Sequence, residues 1–371
     1  MAALDDRSHE GSSLQLFAVK VPPLSPTRVT MIDVAKLANV SIQTVSAVIN
    51  DKPGITELTR IRVREAIAEL DYHPNFLASS LRAQRSFTIG VLIPSITNPF
   101  FPEFVRGIED VAQKHGYSLF LCNSDDDQQK AFSYLQLLRK HRIAGLVGAF
   151  EPRQPESHSV LQSLLAHRVP VVLLGSKRPD ERIVLLTEDD EHGTFLATSH
   201  LLGLGHRRIG MITPPVGGQV EKNRVAGFLK AHATRSIHVA AELLIPGGFD
   251  VSDGQRGVSV LMRLPNPPTA IVAANDLVAI GSFNALRHLN KRVPEDVAVV
   301  GYDNIRMAEL FDPAITTIAQ PLYEMGETAM RAILARIANR ELSGEVVKFE
   351  TRLVIRASTV GQHEFPLVKP K

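Results

Sequence analysis

The spacing of apolar positions changes once along the chain, near Ser86. From Arg28 to about Ser86, apolar residues recur every three or four positions, which is the period of an amphipathic helix. From Phe87 onward, short runs rich in β-branched residues alternate with amphipathic helical segments. This change predicts a small all-α domain followed by a larger α/β domain.

The strand candidates of the α/β part are short, continuous apolar runs. Strands of this kind are buried on both faces and are typical of parallel sheets built from right-handed βαβ units. The length of this part favours two sheets over one, and therefore two lobes with a cleft between them. The candidates are Thr88–Ile93, Tyr117–Cys122, Gly145–Ala149, Val169–Leu174, Arg208–Ile212, Thr269–Ala274 and Val297–Tyr302.

Two short helices in the first part predict a helix-turn-helix. Thr30, followed three residues later by Asp33, matches a capped helix start. Asn39 can adopt the left-handed conformation that ends the first helix, and Ser41 can cap the second. Helix pairs of this kind also occur in ordinary helical proteins, so the pattern alone is only moderately specific for DNA binding.

The second helix has two distinct sides at 100° per residue. Thr44, Val45, Val48 and Ile49 fall on one side, which we expect to pack. The other side can read DNA, with Gln43 as a partner for adenine and with Ile42 and Ala47 against thymine methyl groups. Candidate phosphate contacts are Thr30, Ser41, Thr44, Ser46 and Asn50.

A third helix is predicted from about Glu57 to Leu70. We expect its inward residues to be Leu58, Ile61, Ala66, Ile67 and Leu70. We expect its arginines to point outward, either towards DNA or as an ordinary solvated face; these are Arg60, Arg62 and Arg64.

Composition narrows the class of protein. The 371 residues are 44% hydrophobic and 22% charged, as expected for a soluble protein of two or three packed units. The formal charge of +2 does not by itself indicate a nucleic-acid partner. The single cysteine, Cys122, excludes an intramolecular disulfide and is expected to be a buried thiol. We expect a cytoplasmic protein without a membrane partner, because neither a signal sequence nor a long apolar run is present.

Several strings closely resemble the lactose and galactose repressor family of bacterial regulators. Those in the first part are TMIDVAKLANVSIQTVSAVIN at Thr30–Asn50 and YHPN at Tyr72–Asn75. Those in the second part are IGVLIPSITNPFF at Ile89–Phe101, LGHRRIG at Leu204–Gly210, AANDLVAIG at Ala273–Gly281, VPEDVAVVGYDN at Val293–Asn304 and TTIAQP at Thr316–Pro321. The resemblance implies a DNA-binding head, a hinge helix and a two-lobed core like a periplasmic sugar-binding protein.

The resemblance also implies the domain boundaries. We expect the helix-turn-helix domain at 28–73, the hinge helix at 74–86 and the effector-binding and dimerisation domain at 87–359. The mixed residues 1–27 have no sustained periodicity, which by itself predicts a mobile tail or a misassigned start codon. Lobe 1 then comprises about 87–188 and 319–347, lobe 2 about 189–316 and 350–359, and 360–371 form a second tail.

Further DNA contacts follow from the resemblance. Leu81 of the hinge helix would be the apolar wedge that enters the minor groove and kinks the operator, the alternative being an ordinary packed leucine. The other implied contacts are Thr56, Tyr72, Asn75 and Ala78. Ala47 departs from the family, many members of which carry Arg at this reading position.

The effector site is predicted where strands end, because ligands of open α/β sheets bind beyond the carboxyl ends of the strands. Asn275 and Asp303 follow strand candidates at such places, and Asp276 is adjacent. As an alternative, Asp303 would cap the segment that follows it.

The resemblance adds Arg224, Phe100, Phe101 and Phe249 to this site. Arginine and aspartate would fix the hydroxyls or amides of a ring that the aromatic residues sandwich. The alternatives are a surface position for Arg224 and ordinary core positions for the aromatic residues. Gly175 departs from the family, which often has a ligand-binding Asp there.

A sugar or sugar derivative is the expected effector, with a purine as the alternative. Asn39 and the strings GYDNIR and GETA are similar to the purine repressor branch of the family. The sequence leaves open whether the effector induces or co-represses.

Other chemistries are disfavoured. The acidic runs Asp125–Asp127 and Glu188–Glu191, the latter beside His192, both follow apolar strands and are interpreted as turn and helix caps, so neither a metal nor a cofactor is expected. Gly217 and Gly218 lack the Lys-Ser or Lys-Thr of a phosphate loop, and GxSxG is missing, so an enzyme is not expected.

The sequence therefore predicts a transcription regulator, by family default a repressor, that binds a palindromic operator as a homodimer under the control of a small molecule. The alternative is a solute-binding protein that serves transport, which would need a signal peptide and no DNA-binding head.

Overall fold

The computed structural model describes residues 29–49, 51–72, 86–152, 154–175, 177–339 and 342–360. The chain divides into two compact units, residues 1–84 and residues 85–371. The predicted tail 1–27, residues 361–371 and nearly all of the predicted hinge helix lie outside the described residues.

Three helices form the described part of the first unit, which we call the head: α1 (Met31–Leu37), α2 (Ile42–Ile49) and α3 (Glu57–Glu69). The predicted capping box is present, because the amide and hydroxyl of Thr30 both donate to Asp33 Oδ2, at 2.9 and 2.7 Å. Asn39 has φ 53°, and α2 then leaves α1 at a bend of 104°. The helix-turn-helix prediction is confirmed.

The inward face predicted for α3 is partly wrong. Leu58 and Ile61 are 71% and 44% exposed, whereas Val63 and Ala66 are buried in the head core. At 100° per residue, Leu58 and Ile61 lie roughly 140° or more away from Val63 around the helix, so one face cannot hold all three. Arg60 does not point outward either, because it donates to Asp51 Oδ1 and to the Lys52 carbonyl, both at 2.6 Å.

The first sheet of the second unit defines lobe 1, with strand order β11-β5-β4-β3-β1-β2 and all pairs parallel. Its strands are β1 (Thr88–Ile93), β2 (Ser118–Asn123), β3 (Gly145–Gly148), β4 (Val171–Leu174), β5 (Val184–Glu188) and β11 (Val346–Phe349). Its helices are α4 (Phe100–Lys114), α5 (Gln128–Lys140), α6 (Pro155–Ala166) and α12 (Leu322–Asn339).

The second sheet defines lobe 2, with strand order β12-β10-β9-β8-β6-β7. Its strands are β6 (Ile209–Ile212), β7 (Leu244–Ile245), β8 (Ala270–Ala273), β9 (Ala298–Asp303), β10 (Thr316–Ala319) and β12 (Arg352–Val354), the last antiparallel to β10. Its helices are α7 (Asp190–Gly203), α8 (Gln219–Ala233), α9 (Val251–Leu261), α10 (Asp276–His288), α11 (Arg306–Leu310) and α13 (Ala357–Val360), with a short 3₁₀ turn at Ala241–Leu243.

Two apolar clusters accompany the strands of each lobe. Lobe 1 has one cluster around Ile89 and Phe104 and another around Leu92 and Leu135, because successive residues of a strand point to opposite faces. Lobe 2 repeats this arrangement. The two-sheet α/β architecture predicted from the apolar pattern is confirmed.

The chain crosses between the lobes at adjacent places. The segment after β5 contacts β11 and the residues that follow it. Lys348 Nζ, in β11, donates to Asp189 Oδ2 at 2.6 Å, and the Thr351 hydroxyl, between β11 and β12, donates to the Asp189 carbonyl at 3.5 Å. β10 ends next to a further crossing at Gln320. The carboxyl ends of the strands in both sheets therefore border the inter-lobe cleft.

No single helix in the described ranges is long and apolar enough to span a membrane. The pair α1 and α2 reaches that length and hydropathy only when both helices are counted together across their bend.

Candidate functional site

The α2 helix presents the side chains that the sequence assigned to DNA reading. Ile42 and Gln43 are exposed, whereas Val45 and Val48 are buried in the head core. Ser46 and Ala47 are half-buried. The packing side of α2 is thus as predicted, while the base contacts of the other side stay a prediction.

The predicted phosphate contacts of the head have local partners. The Ser41 hydroxyl accepts from the Thr44 amide at 3.1 Å and so caps α2 as predicted. Thr56 is the N-cap residue of α3, exposed, with its hydroxyl 2.9 Å from that of Thr59. Tyr72 is buried in the head core, which gives its ring a packing role that the sequence did not assign. Asn50, Asn75, Ala78 and Leu81 lie outside the described residues.

Arg224 lies at the centre of the second site, in the inter-lobe cleft. Its Nε donates to Asp190 Oδ1 at 2.7 Å, its Nη1 donates to the Ala274 carbonyl at 2.5 Å, and its guanidinium lies 3.6 Å from the centre of the Tyr302 ring. The side chain is buried, so a surface position for Arg224 is excluded.

Gly227 lets the helix of Arg224 approach α7 closely. A Cβ atom at this position would lie 2.1 Å from the Glu191 carbonyl oxygen. Only a residue without a side chain allows the two helices to approach so closely, and this proximity brings Arg224 within hydrogen-bond distance of Asp190.

Asp303 ends β9 and has a φ of 102°, a strained value for a non-glycine residue. Gln320 Nε2 donates to its Oδ1 at 2.8 Å. Burial raises the pKa of Asp303 well above its ordinary value, against the opposing charge of Arg224. The N-cap residue of α11 is Ile305 and lacks a side-chain cap, so Asp303 does not cap the following segment.

Asp276 supports the loop that presents Asp303. Its Oδ2 accepts from the Ile305 amide at 2.8 Å and its Oδ1 from the Thr317 hydroxyl at 2.6 Å. Burial raises the pKa of Asp276 to about 7, although these hydrogen bonds act in the opposite direction. Asp276 therefore holds the loop and does not face the cleft as a free carboxylate.

Asn275 is a helix cap in this structure. Its Oδ1 accepts from the Val278 amide at 2.9 Å, and its Nδ2 donates to the Phe249 carbonyl at 3.1 Å. The sequence did not assign this capping role to Asn275, and its contact with an effector stays a prediction.

The predicted aromatic residues do not form one stack. Phe100 is buried in the lobe 1 core, and its ring centre lies 4.9 Å from that of half-buried Phe101 in an edge-on arrangement. Phe249, also half-buried, packs against the lobe 2 core. Phe100 is therefore an ordinary core residue, which was the alternative to a ligand contact. Phe101 and Phe249 retain some exposed surface.

Two acidic runs contain the predicted caps. Asp127 accepts from the amides of Gln129 and Lys130 at 2.7 and 3.0 Å, and Asp189 accepts from the His192 amide at 3.1 Å. Asp190 instead pairs with Arg224. Among the described residues, no group of three or more His, Cys, Asp or Glu is arranged to hold a metal ion.

The sequence missed Glu188, Asp190, Tyr302 and Gln320 as members of the cleft. Glu188 ends β5, and burial raises its pKa to about 8, with the negative charge of Asp190 adding to the effect. Gln320 follows β10 in the same way. The apolar strand before Glu188 was recognised, but the acidic run that begins at Glu188 was interpreted as a cap. β10 was not recognised, and Gln320 was missed with it.

Comparison with known proteins identifies both units. Residues 30–75 match the model of the family described as "Bacterial regulatory proteins, lacI family", and residues 198–359 match that of the "Periplasmic binding protein-like domain". The chain is 35% identical to the "HTH-type transcriptional repressor PurR" of Aliivibrio fischeri over 335 residues, 90% of this chain and 99% of that protein. It is 32% identical to the "HTH-type transcriptional regulator DegA" of Bacillus subtilis over 90% of this chain and 98% of that protein.

A solved structure agrees with this relationship. The lac repressor dimer bound to operator and the anti-inducer ONPF has a TM-score of 0.80 and 28% identity, covering 90% of this chain and 100% of that one. The chain belongs to the lacI family of bacterial regulatory proteins and is a DNA-binding transcription regulator with an effector-binding, periplasmic-binding-protein-like core.

Proposed function

We propose that this regulator is a homodimeric repressor that binds a palindromic operator through α2, and that a small molecule in the inter-lobe cleft sets its operator affinity. The repressor name of the PurR relative and the operator-bound dimer of the lac repressor support this proposal. The cytoplasm is the expected location, because the proposed partner is DNA.

The observation that carries the DNA-binding half is the division of α2 into two sides. Val45 and Val48 anchor the helix in the head core, while Ile42 and Gln43 stand exposed on its other side. A helix that enters the major groove needs a rigid support on one side and free side chains on the other. Glutamine is suited to adenine, with which it can form two hydrogen bonds.

The effector half is supported by the polar side chains at the strand ends. Buried polar groups are costly unless hydrogen bonds satisfy them, yet Asp303 is held in a strained conformation beside the buried Arg224. Such an arrangement is typical of a binding site, where contacts with a ligand offset the free-energy cost of the strain. We propose that the effector is bound here and released unchanged, without turnover.

A solute-binding protein would share the two-lobed core but would not need a DNA-binding head. The match of residues 30–75 to a family of regulatory proteins therefore favours the regulator.

Selection of sites from a random DNA duplex library with the purified full chain, at one stated salt concentration, tests the proposal. It is run with and without a pool of sugars, sugar phosphates, hexosamines and purines. We expect a palindromic sequence whose recovery depends on the pool, and its direction distinguishes induction from co-repression. No enriched sequence in either condition, together with thermal stabilisation by the pool, would instead support the solute-binding protein.

A further inference from the structure

The side chains that border the cleft include more acidic groups than basic ones. Glu188, Asp190 and Asp303 are grouped around the one guanidinium of Arg224, close enough for each charge to shift the pKa of its neighbours. Arg224 Nε donates to Asp190. Glu188 and Asp303 have no ion-pair partner among the described residues.

Glu188 differs from the other acidic residues of the cleft in its hydrogen bonds. Asp190 accepts from Arg224, and Asp303 accepts from Gln320. The Glu188 carboxylate accepts from no other residue in the part of the chain that the structure describes, although it is mostly buried. A mostly buried carboxylate without a partner is unfavourable, and a donor from outside the chain would relieve that cost.

A second, independent observation points to a missing donor beside Asp303. Gln320 is 7% exposed, and while its Nε2 donates to Asp303, its Oε1 is buried and has no partner among the described residues. An amide oxygen can only accept a hydrogen bond. Gln320 and Glu188 thus both lack a donor.

We propose that the effector carries a protonated amine that Glu188 binds, with Gln320 and Asp303 as further acceptors for its N–H or O–H groups. This inference rests on the proposed function, since it specifies the ligand of the same cleft. An ammonium supplies up to three donors, which match the unsatisfied acceptors, and one positive charge, which favours the ionised form of Glu188. The remaining N–H groups of Arg224 can donate to a hydroxyl of the same ligand.

The charges disfavour other ligand classes. A phosphate or carboxylate would place a further negative charge beside the acidic side chains of Glu188 and Asp303, which disfavours their ionisation. A metal ion is disfavoured because the acidic side chains in the described ranges do not converge at ligand spacing. A neutral sugar can donate to the same acceptors but brings no positive charge to stabilise an ionised Glu188.

Isothermal titration calorimetry of the full chain with matched probes tests the proposal. The probes are three hexoses, the corresponding hexosamines and hexose phosphates, and putrescine as an amine without a sugar ring. We expect one or more amines to bind at least about tenfold more tightly than their neutral counterparts, as for a charge-assisted hydrogen bond. Glu188→Gln keeps the size of the side chain and should abolish this preference. Glu181→Gln, the same change at an exposed position, should preserve it.

Three outcomes would overturn the proposal of an amine effector. They are that no amine binds, that neutral or phosphorylated probes bind more tightly than the amines, and that Glu188→Gln keeps the preference for amines. Site selection on DNA is a separate readout for the regulator. An enriched operator without amine binding refutes only the ligand class, whereas amine binding without an operator refutes the regulator and retains the ligand class.

Discussion

Arg224 and Asp190 form an ion pair of 2.7 Å in which the two side chains are only 5% and 2% exposed. Removing one partner of such a pair leaves the other charge buried without compensation. We therefore expect Asp190→Asn to lower the free energy of unfolding by about 3 kcal/mol, measured by urea denaturation.

The Lys230–Glu191 pair is a matched control for this ion pair. It has the same N–O distance, 2.7 Å, and links the same two helices, but both of its side chains are exposed. Glu191→Gln should change the free energy of unfolding by less than about 1 kcal/mol, because exposed pairs contribute little. Equal losses of unfolding free energy in Asp190→Asn and Glu191→Gln would show that burial does not determine how much the Arg224–Asp190 pair contributes to stability.

Gly227→Ala should destabilise the core and weaken the cleft. The added methyl group would lie 2.1 Å from the Glu191 carbonyl, so α7 and α8 must separate and displace Arg224 from Asp190. Overpacking of this kind costs about 1–3 kcal/mol, which thermal denaturation detects as a lower Tm.

Gly203→Ala is the control for the glycine substitution. Gly203 is also helical, but a Cβ there meets no atom within 4 Å. This variant should be neutral or slightly stabilising, by up to about 1 kcal/mol, since alanine restricts the unfolded chain. A Tm for Gly227→Ala equal to that of Gly203→Ala would contradict the close approach of the helices.

Gln43→Ala should reduce operator specificity without unfolding the head, because the side chain is exposed and packs in no core cluster. The loss of a two-hydrogen-bond contact with a base costs about 1–3 kcal/mol, whereas binding to unrelated duplexes should hardly change. Competition binding on the selected operator measures both affinities. Glu69→Ala, at an exposed position on α3, serves as control. Unchanged specificity in Gln43→Ala would remove this residue from the reading surface.

The hinge prediction concerns Leu81, whose role as a minor-groove wedge is assigned from the sequence alone. If Leu81 is the minor-groove wedge, Leu81→Gln should abolish specific operator binding while non-specific binding and the fold persist. A mobility-shift assay that shows undiminished affinity for the operator would contradict it.

The sequence predicted the strands that are continuous apolar runs, because β-branched residues buried on both faces leave a clear signal. It missed β11 and β12, whose residues are mostly exposed or half-buried, and β7, which has only two residues. β10 was missed although its four residues are buried, and it ends next to Gln320. The strand before Glu188 was recognised from its apolar run. Gln320 was missed together with β10, because a polar residue is recognised as a site only when the strand before it is. Glu188 was missed because its acidic run was assigned to capping.

Residue roles were harder to predict than the elements that position them. Asn275 and Asp303 follow their strands in the same way, yet one caps α10 and the other is strained beside Arg224. That distinction depends on partners distant in sequence, such as Gln320 for Asp303 and Phe249 for Asn275. Local pattern cannot show those partners.

Glu188 should make the stability of the core depend on pH. Burial and the charge of Asp190 raise the pKa of Glu188 from 4.5 to about 8, so the folded protein retains a proton that the unfolded chain releases. Between these two values, the free energy of unfolding therefore falls as the pH rises, and above about pH 8 the fall is complete. Glu188→Gln removes this contribution, so the Tm of the variant relative to the wild type should increase by a few °C, roughly, from pH 6 to pH 9.

Asp276 has a raised pKa of about 7, so it lowers the free energy of unfolding with rising pH in both the wild type and Glu188→Gln. The difference between the two proteins therefore reports on Glu188 alone. Thermal denaturation at pH 6, 7, 8 and 9 without ligand measures the difference. Glu181→Gln should follow the wild type at every pH, because its side chain is exposed. Parallel curves for the wild type and Glu188→Gln would mean that Glu188 is already ionised at pH 6, and therefore that water or another donor satisfies its carboxylate in the empty cleft.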